Sequence, residues 1–291
     1  MISTSFSIEN AISLLHGDSL NELNSIPDDS VDLIITSPPY NVGKEYELKT
    51  SLSEYLKLFD GLLVELKRVL SPTGSICWQV GNYVKDGEIY PLDFYYYARF
   101  KRLNFKLRNR IIWRFGHGLH ASKRFSGRYE TILWVTKSND YKFNLDSVRV
   151  PSKYPGKRHY KGPKKGELAG NPLGKNPTDI WDFVENDWSQ EVWDIPNVKH
   201  NHPEKTEHPC QYPVELVERC ILALTNEQDL VLDPFSGVAS TLIAGIRRNR
   251  RVCGIEKEES YVDISKARIQ QLLNSSLRTR EIGTPIFSPR K

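Results

Sequence analysis

The stretch Asp32-Leu33-Ile34-Ile35-Thr36-Ser37-Pro38-Pro39-Tyr40 decides how this chain is read. Val31 to Ile35 is a short, mostly apolar run, rich in β-branched residues and too short for a helix, so it predicts a buried strand. The run stops at Ser-Pro-Pro-Tyr. Two consecutive prolines donate no backbone hydrogen bonds and each fixes φ, while Ser37 and Pro38, each preceding a proline, are held extended. The result is a stiff loop at the carboxyl end of a strand, where open α/β sheets place their ligands. It offers the Ser37 hydroxyl, backbone carbonyls outside a regular ladder, and the Tyr40 ring. Acceptors beside an aromatic face suit a planar group bearing an exocyclic amine. The plain alternative is a proline-stiffened turn with an incidental tyrosine.

Working outward, Ser51-Leu52-Ser53-Glu54 fits a capping box, and the leucines and aromatics from Leu52 to Leu70 recur at helical spacing. Ser71-Pro72-Thr73-Gly74 is expected to stop that helix before a strand at Ser75–Val80. Leu20 to Ile26 is a short helical candidate, and Pro91 suits the first turn of a helix over about 92–103. Lys106–Phe115 and Tyr129–Thr136 read as two strands. After residue 138 periodicity fades. It resumes with a helix opened by Pro213, a strand at Asp229–Leu232, a helix at Ser240–Asn249, a strand at Arg251–Ile255 and a helix at Tyr261–Leu273. The expected organisation is therefore an α/β catalytic part over 1–137, an inserted irregular module over 138–206, a second α/β part over 207–273, and a loose tail over 274–291.

With 39% hydrophobic and 26% charged residues among 291, the chain has the composition of an ordinary globular protein able to bury a large core. No apolar run approaches the roughly 18 residues a membrane span needs, and the amino terminus lacks a signal-peptide pattern. Cys77, Cys210, Cys220 and Cys253 form no Cys-x-x-Cys pair, which argues against a zinc site or a disulfide framework. A reducing cytoplasm is the expected setting, with no membrane partner and no metal.

The net charge of +4 says less than its distribution. Arg99 to Arg128 carries ten Lys/Arg and no Asp or Glu, the footprint expected for a polyanion. Lys142 to Lys175 adds nine basic residues against Asp146 and Glu167, with Tyr154, His159 and Tyr160 interleaved. Basic side chains hold phosphates while aromatics touch bases. Candidate contacts to such a polyanion are Lys44 in the polar segment after Tyr40, then Arg114, Lys123, Arg124 and Arg128. Lys153, Lys157, Arg158, Lys161, Lys164 and Lys165 complete the set. From Asn176 to Glu207 the sign reverses. Trp181, Trp188 and Trp193 lie there and are expected to pack a small subdomain rather than touch bases.

A second constellation follows the insert. Asp233-Pro234-Phe235-Ser236-Gly237 turns between a strand and a helix, and Glu256 ends the next strand about 20 residues on, the spacing of nucleoside-binding units. Gly237 permits close approach of a ligand to the backbone, and Glu256 is placed to accept from ribose hydroxyls. No Gly-x-Gly-x-x-Gly is present. Asp233 disfavours a pyrophosphate and favours a ligand with a cationic centre, so charge points to S-adenosyl-L-methionine over NAD.

Taken together these residues resemble the amino-methyltransferases of DNA, in the permuted group whose catalytic motif precedes the cofactor motif. Thr36-Ser37-Pro38-Pro39-Tyr40 is similar to the family's catalytic motif, Leu232-Asp233-Pro234-Phe235-Ser236-Gly237 to its cofactor motif, and Gly254-Ile255-Glu256 to its ribose-binding strand end. Glu207-His208-Pro209-Cys210-Gln211-Tyr212-Pro213 resembles the segment that opens the helix before the cofactor strand. Gly17-Asp18 resembles the acidic turn near the adenosine base. The likeness covers roughly 10–136 and 205–273, and the insert falls where this group carries its target recognition domain. It departs at Val238-Ala239-Ser240, where Ser-Gly-Thr is usual, and at Cys210 and Tyr212, where Thr and Lys are usual. Pro209-Cys210-Gln211 also looks like the nucleophile motif of cytosine-C5 methyltransferases, but it precedes the cofactor motif and lacks that group's Glu-Asn-Val.

The resemblance implies a Rossmann-like S-adenosyl-L-methionine-dependent fold. Ser37, Pro38, Pro39 and Tyr40 are then catalytic, and Asp18, His208, Cys210, Asp233, Pro234, Phe235, Ser236, Gly237 and Glu256 bind the cofactor. It implies double-stranded DNA as substrate, a cognate restriction endonuclease as a possible partner, and a monomer or homodimer. Ser at position 37 is more typical of cytosine-N4 enzymes than of adenine-N6 enzymes, so the expected function is site-specific methyl transfer to the N4 amine of cytosine, with adenine N6 as the alternative, a non-catalytic DNA-binding protein on the same fold as a further one, and RNA or protein amine methylation as a third.

Overall fold

The computed structural model describes residues 1–40, 50–115, 120–181, 198, 202–208 and 211–280. Its strands are β1 (Ile12–His16), β2 (Val31–Thr36), β3 (Leu70–Val80), β4 (Asn82–Lys85), β5 (Glu88–Pro91), β6 (Lys106–Arg114), β7 (Tyr129–Thr136), β8 (Ile180–Trp181), β9 (Leu230–Asp233) and β10 (Arg251–Glu256). Its helices are α1 (Ser19–Glu22), α2 (Leu52–Val69), α3 (Leu92–Arg102), α4 (Val214–Leu224), α5 (Ser240–Arg247) and α6 (Glu259–Leu273).

One sheet runs in the order β1-β10-β9-β2-β3-β7-β6-β8. From β1 to β3 every neighbour is parallel; β7 is antiparallel to both β3 and β6. Strand alternation sends Leu33 and Ile35 of β2 to one face and Ile34 to the other. The first face is covered by α4, α5 and α6 through residues such as Val217, Ile221, Leu242 and Ile269. The second is covered by α2 and α3 through Phe59, Leu63, Leu66, Tyr96 and Phe100. A mostly parallel sheet buried on both faces is the Rossmann-like α/β architecture.

The topology matters most at the centre. β2 and β9 lie about 200 residues apart in sequence yet pair directly, with Ile34 opposite Leu232. Their carboxyl ends therefore open side by side, and the Thr36 hydroxyl donates to Asp233 Oδ1 at 2.6 Å across the pair.

Local expectations fare unevenly. The capping box forms, with Glu54 N–H on Ser51 Oγ at 3.2 Å and Ser51 N–H on Glu54 Oε2 at 3.0 Å. Leu20–Ile26 divides into α1 and a 3-10 turn at Leu23–Ser25. Ser71–Gly74 does not form a separate stop, because β3 already begins at Leu70, opposite Val31, and passes through it with an irregular register. The β4–β5 hairpin is unforeseen, although Asp86-Gly87 at its tip, with φ +52° and +83°, is a strong hairpin signal.

The residues just past 138 pack onto the core. Phe143 stacks on Trp134 at 5.5 Å, Arg108 lies over the Tyr141 ring at 4.2 Å, and Val148 and Val150 are buried. Lys142 bonds Asp32 at 2.8 Å and Asp229 at 2.6 Å, below the amino ends of β2 and β9. Trp181 is buried under the Arg219 guanidinium, 4.5 Å away; Trp188 and Trp193 lie outside the described residues. Among the described residues no helix is long and apolar enough to cross a membrane.

Candidate active site

The loops that leave β2 and β9 line a single cavity of about 320 Å³. Ser37, Pro38, Pro39 and Tyr40 form one wall, and Pro234, Phe235, Ser236 and Gly237 form another. Asp18, Glu256 and His208 also line it, with Ser240 and Tyr261, neither of which the sequence placed in a site. The structure thus brings together every expected catalytic residue and most of the expected cofactor residues. Cys210 lies outside the described residues, and with it the Pro-Cys alternative; Lys44 does too.

The acidic wall is built by backbone. Asp18 caps α1, its Oδ1 accepting from Leu20 N–H at 3.1 Å, and Gly17 N–H donates to the Glu256 carbonyl at 3.0 Å. Glu256 at the tip of β10 accepts from Gly237 N–H at 2.8 Å and Glu258 N–H at 2.9 Å. Burial pushes its carboxyl up, against those hydrogen bonds. Gly237 holds φ +51°, and a Cβ there would sit 3.3 Å from His208 Nε2, so the position favours glycine on both counts. Burial, with Lys205 and Arg268 nearby, lowers the His208 imidazole to about 4, so it is neutral at pH 7, edge-on to Tyr261 at 4.6 Å. Ala239 occupies the left-handed region at φ +66°, where the family's usual glycine is unstrained.

Asp233 corrects an expectation. It is fully buried and off the cavity wall. Its Oδ1 accepts from Thr36 at 2.6 Å and Phe235 N–H at 3.0 Å, and its Oδ2 from Tyr212 at 2.6 Å and Thr241 at 2.5 Å. With those donors engaged it ties β2, β9, α5 and the Tyr212 segment together and shapes the cofactor loop from behind. The sequence shows the charge of this residue but not its depth, which depends on strands that meet only in the folded chain.

On the catalytic side, Tyr55 donates to the Pro39 carbonyl at 2.6 Å. The Ser37 hydroxyl lies 2.8 Å from the Tyr40 hydroxyl. Tyr40 in turn donates to Glu130 Oε2 at 3.3 Å, which also accepts from Gln79 Nε2 at 2.7 Å. Neither Glu130 nor Gln79 was legible as a site residue, since only the β3–β7 pairing brings them behind the loop.

The basic stretch divides. Arg99 pairs with Asp60 at 2.9 Å, Arg110 with Asp93 at 2.5 Å, and Arg108 bonds Thr136 at 2.9 Å. These cations serve the fold, which corrects the reading of all ten as one polyanion footprint. Lys123 and Arg124 are exposed in the β6–β7 connection beside a fully exposed Phe125, with Arg114 and Arg128 at its two ends. Beyond them an arm closes at Val150 and Lys175 and is bridged again between Arg158 and Leu168. Lys153, Lys157, Arg158, Lys161, Lys164 and Lys165 are all exposed on it, as are Tyr154 and Tyr160.

A parallel sheet that opens two adjacent central strands into one nucleoside-sized cavity is the plan of S-adenosyl-L-methionine-dependent methyltransferases. The chain belongs to the N6/N4 DNA methylase family, whose model, described as DNA methylase, matches residues 31–267. It is 49% identical over 265 residues to the Type II methyltransferase M.BglII of Bacillus subtilis, covering 91% of this chain and 70% of the relative. It is 33% identical to the DNA adenine methyltransferase YhdJ of Escherichia coli (strain K12), over 89% of this chain and 83% of the relative. Among solved structures, the cytosine-N4-specific PvuII DNA methyltransferase superposes with a TM-score of 0.68 at 22% identity, covering 91% of this chain and 92% of that one. A putative DNA modification methylase of Thermus thermophilus, complexed with S-adenosyl-L-methionine, superposes with a TM-score of 0.61 at 26% identity, covering 89% and 95%.

The cofactor is S-adenosyl-L-methionine, and the cavity fits it. The hydroxyls of Ser236 and Ser240 face this region buried and with no hydrogen-bond partner among the described residues. Such buried hydroxyls call for a polar ligand. Acidic groups at Asp18 and Glu256 suit a base amine and ribose hydroxyls.

Proposed function

We propose that this chain is a site-specific DNA methyltransferase that transfers methyl to the exocyclic N4 amine of cytosine. The observation that carries the reading is the convergence of the Ser37–Tyr40 loop and the Pro234–Gly237 loop on one cavity. S-adenosyl-L-methionine supplies an electrophilic methyl on a sulfonium. Asp18, His208, Phe235, Ser236, Gly237 and Glu256 hold it, with Glu256 taking ribose hydroxyls. The target amine is a poor nucleophile because its lone pair is delocalised into the ring. Ser37 Oγ and the Pro38 carbonyl accept from the NH2 and draw the nitrogen toward tetrahedral geometry. Tyr40 covers the face of the base once it has left the duplex, offsetting a flipping cost of a few kcal/mol.

The insert over 138–206 supplies target recognition. Its exposed arm and the β6–β7 connection hold phosphates through Lys123, Arg124, Lys157, Arg158, Lys161, Lys164 and Lys165. The setting is the cytoplasm, as a monomer or homodimer, alongside a restriction endonuclease that cuts the same site.

Ser37 and the cytosine-N4-specific PvuII neighbour favour N4. Adenine N6 is the second reading, favoured by the 33% identity to YhdJ. Labelled methyl transfer to DNA, followed by nucleoside analysis, tests both. N4-methylcytosine is the expected product, N6-methyladenine reassigns the base, and no incorporation into any DNA with cofactor bound overturns the function.

A further inference from the structure

Ser37, Tyr40, Glu130 and Gln79 form one chain of hydrogen bonds running from the cavity wall into the sheet. Its direction follows from the inventory of donors. A carboxylate only accepts, so Gln79 and Tyr40 both donate to Glu130 Oε2. Tyr40 has a single hydroxyl proton and gives it to Glu130. At the 2.8 Å contact Ser37 must therefore donate to Tyr40, which leaves the Ser37 Oγ lone pairs facing the cavity as acceptors. The Tyr40 ring lies close over Gly81, where an added Cβ would come within 3.2 Å of it.

Resting on the amino-methyltransferase reading, we propose that Glu130 is the positioning residue that makes Ser37 an acceptor and receives the amine's proton through Tyr40. As the amine nitrogen takes the methyl, its lone pair forms the N–C bond. The C–S electron pair stays on sulfur, and the nitrogen is left with one proton too many. That proton passes to Ser37 Oγ, the Ser37 proton to Tyr40 Oη, and the Tyr40 proton to Glu130 Oε2. The carboxylate becomes a carboxylic acid and releases the proton to water after the product leaves. One proton moves and no other reactant is needed. Burial raises the Glu130 carboxyl above its ordinary value, in the direction a proton acceptor requires, although the Gln79 and Tyr40 bonds hold it back. Opposite Glu130 on β6 is the uncharged Trp113, and on the β3 side the facing groups are Gln79 and Tyr40. The 3.3 Å Tyr40–Glu130 contact belongs to the substrate-free state, in which catalytic hydrogen bonds are characteristically long.

The test compares Glu130→Gln, Tyr40→Phe and the double variant in single-turnover transfer to duplex DNA. Glutamine keeps an acceptor oxygen for Gln79 and Tyr40 but takes no proton. Each single change lowers the rate constant by about 100-fold, with the dissociation constants for cofactor and DNA unchanged and the protein still folded at the assay temperature, since losing the charged hydrogen bonds at Glu130 costs only about 2 kcal/mol. The double variant is no slower than the worse single variant, because both break one chain. A second readout needs no turnover. In substrate-free protein the Glu130 carboxyl, followed by carbon NMR, titrates higher in Tyr40→Phe than in wild type, since a donor to the carboxylate is removed. Wild-type rates in Glu130→Gln, multiplicative losses in the double variant, or an unmoved carboxyl titration overturn the relay. Wild-type inactivity on every DNA overturns the function reading instead.

Discussion

Replacing Asp233 with asparagine separates the two jobs a buried carboxylate can do beside a ligand. In the structure its oxygens take hydrogen bonds from Thr36, Phe235 N–H, Tyr212 and Thr241. The Phe235 N–H cannot reverse, but the three hydroxyls can. Asparagine therefore turns its carbonyl toward Phe235 and Thr36 and its NH2 toward Tyr212 and Thr241, whose hydroxyls rotate to accept. One of the two displaced hydroxyl protons can go to the Tyr212–Thr241 contact while the other loses its acceptor, and each bond to a charge becomes a neutral one and weakens by about 1 kcal/mol, so stability falls by about 2–4 kcal/mol. Alanine leaves the Phe235 N–H and the hydroxyls unmatched in a site without solvent and costs about 5 kcal/mol or more. Urea unfolding followed by circular dichroism measures both. Calorimetric titration with S-adenosyl-L-methionine, at a temperature where Asp233→Asn is folded, supplies the second arm. Because Asp233 is off the cavity wall, the asparagine variant loses less than about tenfold in affinity, equivalent to 1.4 kcal/mol. An asparagine variant as stable as wild type that has lost about a hundredfold in cofactor affinity refutes this reasoning and puts the carboxylate in contact with the ligand.

Three further outcomes concern other parts of the molecule. Changing Lys157, Arg158 and Lys161 together to alanine lowers the slope of log affinity against log salt by about 0.9 for each phosphate no longer neutralised, read by fluorescence anisotropy on duplex DNA; an unchanged slope removes the arm from the interface. Gly254→Ala places a Cβ 2.7 Å from Leu242 Cδ1 and 2.9 Å from Ser236 Cβ, so overpacking by about 1–3 kcal/mol lowers the thermal midpoint and weakens cofactor binding through Ser236. The His208 imidazole, lowered to about 4 by burial, stays neutral in the folded chain while the unfolded chain takes up its proton near 6.5. Its contribution is thus held above that pH and lost as pH falls from about 6.5 to 4. The stability of His208→Gln relative to wild type accordingly rises on acidification, and a pH-independent difference refutes the shift.

What could be read from the chain alone follows a physical line. Ser37-Pro38-Pro39-Tyr40 and Asp233–Gly237 announce themselves because proline and glycine constrain backbone locally, and β2 shows itself through an apolar run bounded by turn residues. Nothing local says that Leu232 pairs with Ile34, so the shared cavity had to be inferred from motif order. Glu130 was silent for the same reason: its part depends on β7 lying antiparallel to β3, with Val80 opposite Thr131. Charge was the least legible property. Arg99, Arg108 and Arg110 look identical in sequence to Lys123 and Arg124, and only the positions of Asp60, Asp93 and Thr136 separate scaffold cations from exposed ones.

Lys142 draws Asp32 and Asp229 together at one end of the central strands, while Thr36 and Asp233 are bonded at the other. The two halves of the sheet are thereby stitched by side chains at both ends and by the β2–β9 ladder between them. The peptide running out along the exposed arm adds nothing to that seam. A protein sewn in this way tolerates being cut: a nick between Gly162 and Gly166, in the exposed arm, is expected to leave two fragments that stay together in gel filtration.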